Sequence, residues 1–153
     1  MGLVAVGPAE AGGIQEWALH VGSFNATKPP ASAEAGFEVR FPTRWTRISA
    51  VAGAAGTKDG SFWAYGGARY DLELRKGLWF IPGFAISLYE PGDGKDLGGA
   101  VEFRSSFELA VRTGERSRLG FVFYHLSNAG FYDLNPGSNS AILAWSFAPR
   151  SGG

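Results

Sequence analysis

The residues best suited to chemistry lie in Phe123-Tyr124-His125-Leu126-Ser127-Asn128-Ala129-Gly130 and the following Asn135-Pro136-Gly137-Ser138-Asn139. Serine is a poor nucleophile until a neighbouring base takes its proton, and histidine, with a reference pKa of about 6.5, is the usual base. His125 and Ser127 stand two apart, so on a strand both leave the same face. That face also carries Leu119, Phe121 and Phe123, which sets the pair among apolar neighbours. A third group must hold the other imidazole nitrogen and fix its tautomer, and Asn139 is the candidate. An acyl-transfer transition state also needs donors for the developing oxyanion. Asn128, by side chain or N–H, and the Gly130 N–H are the candidates, with Ala129 and Gly130 also serving the turn. This is the chemistry of ester hydrolysis. A bare His-x-Ser is usually structural; the apolar face, the Asn-Ala-Gly corner and the facing polar residue set this one apart.

Such a site needs strands to hold it. Period-2 patterning predicts eight of them, at about 14–25, 32–41, 45–54, 62–72, 77–89, 99–112, 117–127 and 138–147, an even count as a closed antiparallel barrel requires. In the second, Ala35, Phe37, Val39 and Phe41 alternate with Glu34, Gly36, Glu38 and Arg40. In the sixth, Val101, Phe103, Phe107, Leu109 and Val111 oppose Glu102, Arg104, Ser106 and Glu108. A soluble, lipocalin-like container would turn the rings inward. The interior of an eight-stranded barrel is only just wide enough for side chains, and these faces are too bulky for it. The inverse arrangement sends Phe and Leu to lipid and leaves Glu34, Glu38, Arg40, Glu102, Arg104 and Glu108 to pair in the lumen. In the eighth strand Asn139, Ala141, Leu143, Trp145 and Phe147 share the lipid face, which brings Asn139 beside His125.

The connections support the same reading. Those near 42–44, 73–76 and 113–115 are short, and those near 26–31, 55–61, 90–98 and 128–137 are longer, the asymmetry of periplasmic turns and extracellular loops. Trp17, Trp45, Trp63, Trp79 and Trp145 are candidates for the interfacial aromatic girdle, with ordinary core positions as the alternative. Pro82, inside the fifth strand, lacks a ladder donor and predicts a bulge or kink.

Composition excludes several other functions. Equal numbers of basic and acidic residues, 14 of each, leave no positive field for a nucleic acid. The absence of cysteine excludes disulfides, thiolate catalysis and thiolate metal sites. No apolar run reaches the length of about 18 residues that a membrane-crossing helix needs. With 23 glycines and 12 phenylalanines the chain suits short, curved, ring-bearing strands. Residues 1–13 read as a leader or signal-peptide remnant with a small-x-small ending at Ala9-Glu10-Ala11, residues 14–148 as the barrel and residues 149–153 as a flexible tail.

The motif His125-x-Ser127-Asn128-Ala129-Gly130 and the Asn135-Pro136-Gly137 corner resemble the lipid A 3-O-deacylases of the PagL family, outer-membrane enzymes that remove an ester-linked acyl chain from lipopolysaccharide. The stretch Gly92-Asp93-Gly94-Lys95-Asp96-Leu97-Gly98, leading to Glu102-Phe103-Arg104, is similar to theirs as well. The resemblance implies a barrel in the bacterial outer membrane with both termini periplasmic, acting on lipopolysaccharide or another membrane lipid ester. It implies Ser127 as nucleophile, His125 as base, Asn128 and Gly130 at the oxyanion, and no metal or organic cofactor. The departure is Asn139, where the family's enzymes carry glutamate. Asparagine can orient an imidazole but cannot balance imidazolium with a full charge. Three outcomes are open: Asn139 serves a slower hydrolase; another acid such as Asp133 replaces the glutamate; or the site is silent and the barrel acts as a homo-oligomer or a subunit of an outer-membrane assembly.

Overall fold

The computed structural model describes residues 13–150. Its strands are β1 (Glu16–Phe24), β2 (Ser32–Pro42), β3 (Ile48–Thr57), β4 (Phe62–Tyr70), β5 (Leu72–Arg75), β6 (Leu78–Glu90), β7 (Val101–Arg112), β8 (Ser117–Ser127) and β9 (Ser138–Phe147). All pairings are antiparallel, β1 pairs with both β2 and β9, and the β4–β6 ladder closes the cylinder. β4 and β5 are two halves of one barrel strand, so the nine segments build an eight-stranded barrel. The expectations for 1–12 and 151–153 lie outside the described residues.

The irregularity expected at Pro82 appears on the neighbouring strand. β6 continues through Pro82, which pairs with Phe107 of β7. On its other edge the ladder breaks between Arg69↔Gly83 and Leu72↔Phe80, which is where β4 gives way to β5. Proline has no N–H to offer, so the residue opposite loses its partner without any change of register across the gap.

One loop departs from expectation. β3 runs on to Thr57, so its link to β4 is only the turn at 58–61. The end of β3 is built of small residues that pair with large ones, Ala55↔Trp63 and Gly56↔Phe62, and the ladder continues where a loop was expected. Long connections remain at 25–31, 91–100 and 128–137, all at one rim.

The apolar faces point outward. Leu19, Val21, Phe37, Phe84, Ile86, Leu88, Phe107, Leu109, Phe121 and Leu143 are exposed, while charged residues line the inside, the reverse of a soluble container. Among the described residues no helix is long and apolar enough to cross a membrane; the strands do so instead. This is the architecture of a bacterial outer-membrane barrel.

The lumen charges compensate one another near the end where β1 begins. Arg40 bonds Glu16 and donates to Glu38 at 2.7 Å, Arg69 donates to Asp71 at 3.1 Å, and Arg118 bridges Glu16 at 2.8 Å and Asp71 at 2.9 Å. Glu108 lies 3.5 Å from Arg40 and 3.4 Å from Arg69. Glu16, Arg69, Asp71 and Arg118 thus join a network that alternation in two strands only partly foretold. Arg104 has no carboxylate partner in this network; it lies 4.6 Å from the Tyr65 ring and 4.3 Å from the Tyr124 ring, a cation–π sandwich. Glu102, also expected to pair, is fully buried opposite Ser87 with no hydrogen-bond partner on either oxygen.

The tryptophans divide. Trp17 and Trp145 face outward near the end where β1 starts and β9 stops, as a girdle requires. Trp63 does not: it is buried in the lumen, 5.2 Å from the Phe24 ring and 5.9 Å from Tyr89. Its position in β4 has the parity of Tyr65 and Arg69, which fixes it inside. Trp45 sits in the turn after β2, and Trp79 lies beside the guanidiniums of Arg112 and Arg118.

Candidate active site

At the loop rim the outer wall is built by β7, β8 and β9. Antiparallel register places His125 directly opposite Asn139 on one side and Ser105 on the other, while Ser127 lies opposite Phe103. His125, Ser127 and Asn139 are all half-buried on the outer face. His125 Nδ1 and Asn139 Oδ1 are 2.7 Å apart. A carbonyl oxygen can only accept, so this contact puts a proton on Nδ1, and in the neutral imidazole the Nε2 lone pair is then free. The amide is turned the right way by its other end, where Asn139 Nδ2 donates to Thr27 Oγ1 at 3.3 Å. Ser127 follows His125 along the same outward face, and no hydrogen bond joins the two among the described residues.

Glycine is needed at one position against the ring. Gly137 adopts φ +64°, and a Cβ there would lie 3.0 Å from His125 Cε1. Any side chain would both strain the backbone and press on the imidazole.

The donors expected for the oxyanion are engaged elsewhere. Asn128 is fully buried, and its Nδ2 donates to Leu97 O at 3.0 Å and Leu134 O at 2.8 Å. Its own N–H donates to Asn135 Oδ1 at 3.1 Å, and the Gly130 N–H donates back to Asn128 Oδ1 at 3.0 Å. Asn128 therefore fastens two rim loops, and Gly130 completes its hydrogen bonds. Between them Ala129 takes φ +55°, a strained conformation for a residue with a side chain, and its N–H makes no hydrogen bond among the described residues. Asp133 is exposed, and among the described residues neither a hydrogen bond nor an ion pair brings it to His125, whose Nδ1 is met by Asn139.

The rim has further contributors beyond the site residues expected from the sequence. Lys95 Nζ donates to Gly137 O at 2.7 Å and to Asn25 Oδ1 at 3.0 Å, and the Ala26 N–H donates to Asn139 O at 2.7 Å. The three long loops are thereby laced around the His125–Asn139 pair. Burial, with the nearby Lys28 charge, holds the Lys95 ammonium below the ordinary lysine range. No group of three or more potential metal ligands occurs among the described residues.

Comparison with known proteins decides the lineage. The lipid A 3-O-deacylase (PagL) family profile matches residues 31–148. The chain belongs to the PagL family. The crystal structure of the outer membrane enzyme PagL superposes with a TM-score of 0.72 at 15% identity, covering 88% of this chain and 99% of that one. A de novo designed transmembrane β-barrel gives 0.64 at 6% identity, covering 90% and 96%. The Yersinia pestis outer membrane protein Ail gives 0.52 at 8% identity, covering 87% and 99%. No curated protein matches the sequence. At these identities the solved structures speak for the barrel alone. The PagL-family match adds that His125, Ser127 and Asn139 all fall inside the family region.

Proposed function

We propose that this PagL-family barrel is a serine esterase that removes an ester-linked acyl chain from lipid A of lipopolysaccharide, in the bacterial outer membrane with both termini periplasmic. The observation that carries the reading is the 2.7 Å contact from His125 Nδ1 to Asn139 Oδ1 on the lipid-facing wall, which favours the tautomer whose Nε2 is the acceptor that a general base needs. The acyl chain lies against the outer strands, and its ester carbonyl reaches the rim. His125 Nε2 takes the Ser127 proton as Oγ attacks the carbonyl carbon, and the π electrons move onto the carbonyl oxygen. Collapse of the intermediate expels the sugar oxygen, which takes the proton from imidazolium. Water, activated by the same nitrogen, then releases the fatty acid. With Asn128 and Gly130 bonded to each other, the backbone donor open to the oxyanion is the Ala129 N–H.

Asn139 gives the right tautomer without the balancing charge. In a serine-protease triad an Asp-to-Asn change costs about 10⁴ in kcat because the tautomer is wrong. Here the carbonyl, not the amide nitrogen, faces the ring, so only the charge stabilisation of imidazolium is missing. The deciding experiment is acyl release from purified lipopolysaccharide, read by mass spectrometry of lipid A, for the natural chain, Ser127→Ala and Asn139→Glu. Full activity in Ser127→Ala would overturn the assignment. Silence in all three would favour a second reading, a binding or assembly barrel, for which the missing charge at Asn139 is the motivating observation.

A further inference from the structure

The outward row of β7 reads Phe103, Ser105, Phe107, Leu109, Val111, so a single hydroxyl interrupts an otherwise apolar stripe toward lipid. Ser105 is exposed, and its Oγ makes no hydrogen bond among the described residues. A hydroxyl facing hydrocarbon without a partner is a cost to the barrel; the Phe84 ring directly opposite on β6 asks for a small residue at 105 but not for a hydroxyl. Its position is specific. Ser105 lies directly opposite His125, and directly opposite side chains on an antiparallel pair have Cβ atoms about 4.5–5.5 Å apart. Ser127 is its diagonal neighbour, at about 7–8 Å, which leaves room for a planar ester between the two hydroxyls.

The aromatic rings on either side frame the same gap. On the rim side Phe103 stacks with Phe84 at 6.1 Å and meets Phe131 at 5.6 Å. On the other side Phe107 meets Phe123 at 5.6 Å and Phe80 at 6.2 Å. Ser105 is the small floor between Phe103 and Phe107, with Phe84 directly opposite on the β6 side and His125 directly opposite on the β8 side.

We infer that Ser105 is a second donor of the site: its hydroxyl hydrogen-bonds the ester carbonyl oxygen as negative charge develops there, while its small size admits the acyl chain between the two aromatic clusters. The inference rests on Ser127 as nucleophile. Ser105 offers the oxyanion a side-chain donor where the Asn128 and Gly130 groups are engaged elsewhere. No proton is transferred to or from Ser105; it gives a hydrogen bond that is stronger to the oxyanion than to the ground-state carbonyl.

The test uses the full-length barrel, with Ser105→Ala, Ser105→Thr and Ser127→Ala made both in the natural chain and in an Asn139→Glu background. Two quantities are measured: acyl release from lipopolysaccharide, and the rate at which a fluorophosphonate modifies Ser127, located by peptide mass spectrometry. The phosphonyl oxygen occupies the same oxyanion position. Ser105→Ala is expected to lower kcat and the labelling rate about 10- to 100-fold with little change in KM, and Ser105→Thr to keep most of both. Heat-modifiable electrophoresis shows whether each variant forms its barrel; removal of an unpartnered hydroxyl leaves folding intact. Parental rates in Ser105→Ala with a dead Ser127→Ala would overturn the inference and leave the esterase standing. Labelling at Ser105 would overturn it differently, by making that residue the nucleophile. No labelling at Ser127 in either background would remove the esterase reading and this inference with it.

Discussion

The two faces of β8 hold polar groups under opposite conditions. Inside, Tyr124 donates to Glu34 at 2.5 Å and lies under the Arg104 guanidinium, and Arg118 of the same strand belongs to an ion-pair network in which each arginine has more than one carboxylate. Outside, one residue along, His125 has a single partner, and Ser127 and Ser105 have none among the described residues. The interior charges are for the most part paired and serve the fold, although Glu102 and several other buried polar atoms, among them Trp63 Nε1, Ser87 Oγ and Arg104 Nε, have no hydrogen-bond partner among the described residues. The exterior ones stand underused in an apolar wall, where the fold gains nothing from them. A surplus of unmet hydrogen-bonding capacity facing lipid is what a site for a lipid ester needs.

The sharpest way to break this contrast is to remove one group from each face. Ser127→Ala should lower acyl release about 10³-fold or more while leaving stability within about 0.5 kcal/mol, as expected of a residue that acts only in the reaction. Arg40→Met should do the reverse. It strips a partner from Glu16, Glu38 and Glu108. The loss should be about 3–5 kcal/mol of stability, because uncompensated buried charge is left behind. Urea unfolding in lipid vesicles measures the second effect, and acyl release per folded molecule should stay at the parental rate. If Arg40→Met removed activity from a fully folded barrel, the division of labour between faces would be wrong.

Much of that division was legible in the sequence. Period 2 in β2 and β7 separates ring-bearing positions from charged ones, and the small bore of an eight-stranded barrel decides which set goes inside. The same parity puts Asn139 on the face of His125, because alternation decides which face each strand residue takes. What stayed hidden depends on contacts across loops. The bonds from Asn128 to Leu97 and Leu134 join segments whose approach no periodicity encodes, so its part in fastening the loops has no signal in the sequence. Thr27 and Lys95 reach the site only because the loops at 25–31 and 91–100 close over it. Trp63 was ambiguous because an aromatic residue near a strand end fits a girdle or a core equally well, and the parity of β4 was the available clue.

Asn139→Glu sharpens the outer half of the comparison. A carboxylate in place of the amide oxygen supplies the charge that imidazolium lacks, and should raise kcat about 10- to 100-fold, a gain of the size expected for a charged over a neutral hydrogen bond. The test is the rate of acyl release at saturating lipopolysaccharide. A fall in rate would mean that the geometry around Asn139 is built for the amide and that the site has diverged in function as well as in sequence.

The smallest expected effect is also the most discriminating. Thr27→Val removes the acceptor that holds Asn139 Nδ2, a bond of 3.3 Å between two loop-rim residues far apart in sequence. Such a bond is worth about 1 kcal/mol, so kcat should fall about 5-fold as the amide gains freedom to present its nitrogen to the ring and favour the wrong tautomer. In the Asn139→Glu background the same substitution should cost nearly nothing, since a carboxylate has two acceptor oxygens and no wrong end to present. A double-mutant cycle on kcat measures the difference. Equal losses in both backgrounds would show that Thr27 acts through the loop at 25–31 and not through the orientation of Asn139. A loss confined to the natural chain would show that asparagine works here only because a threonine on another loop keeps it facing the right way.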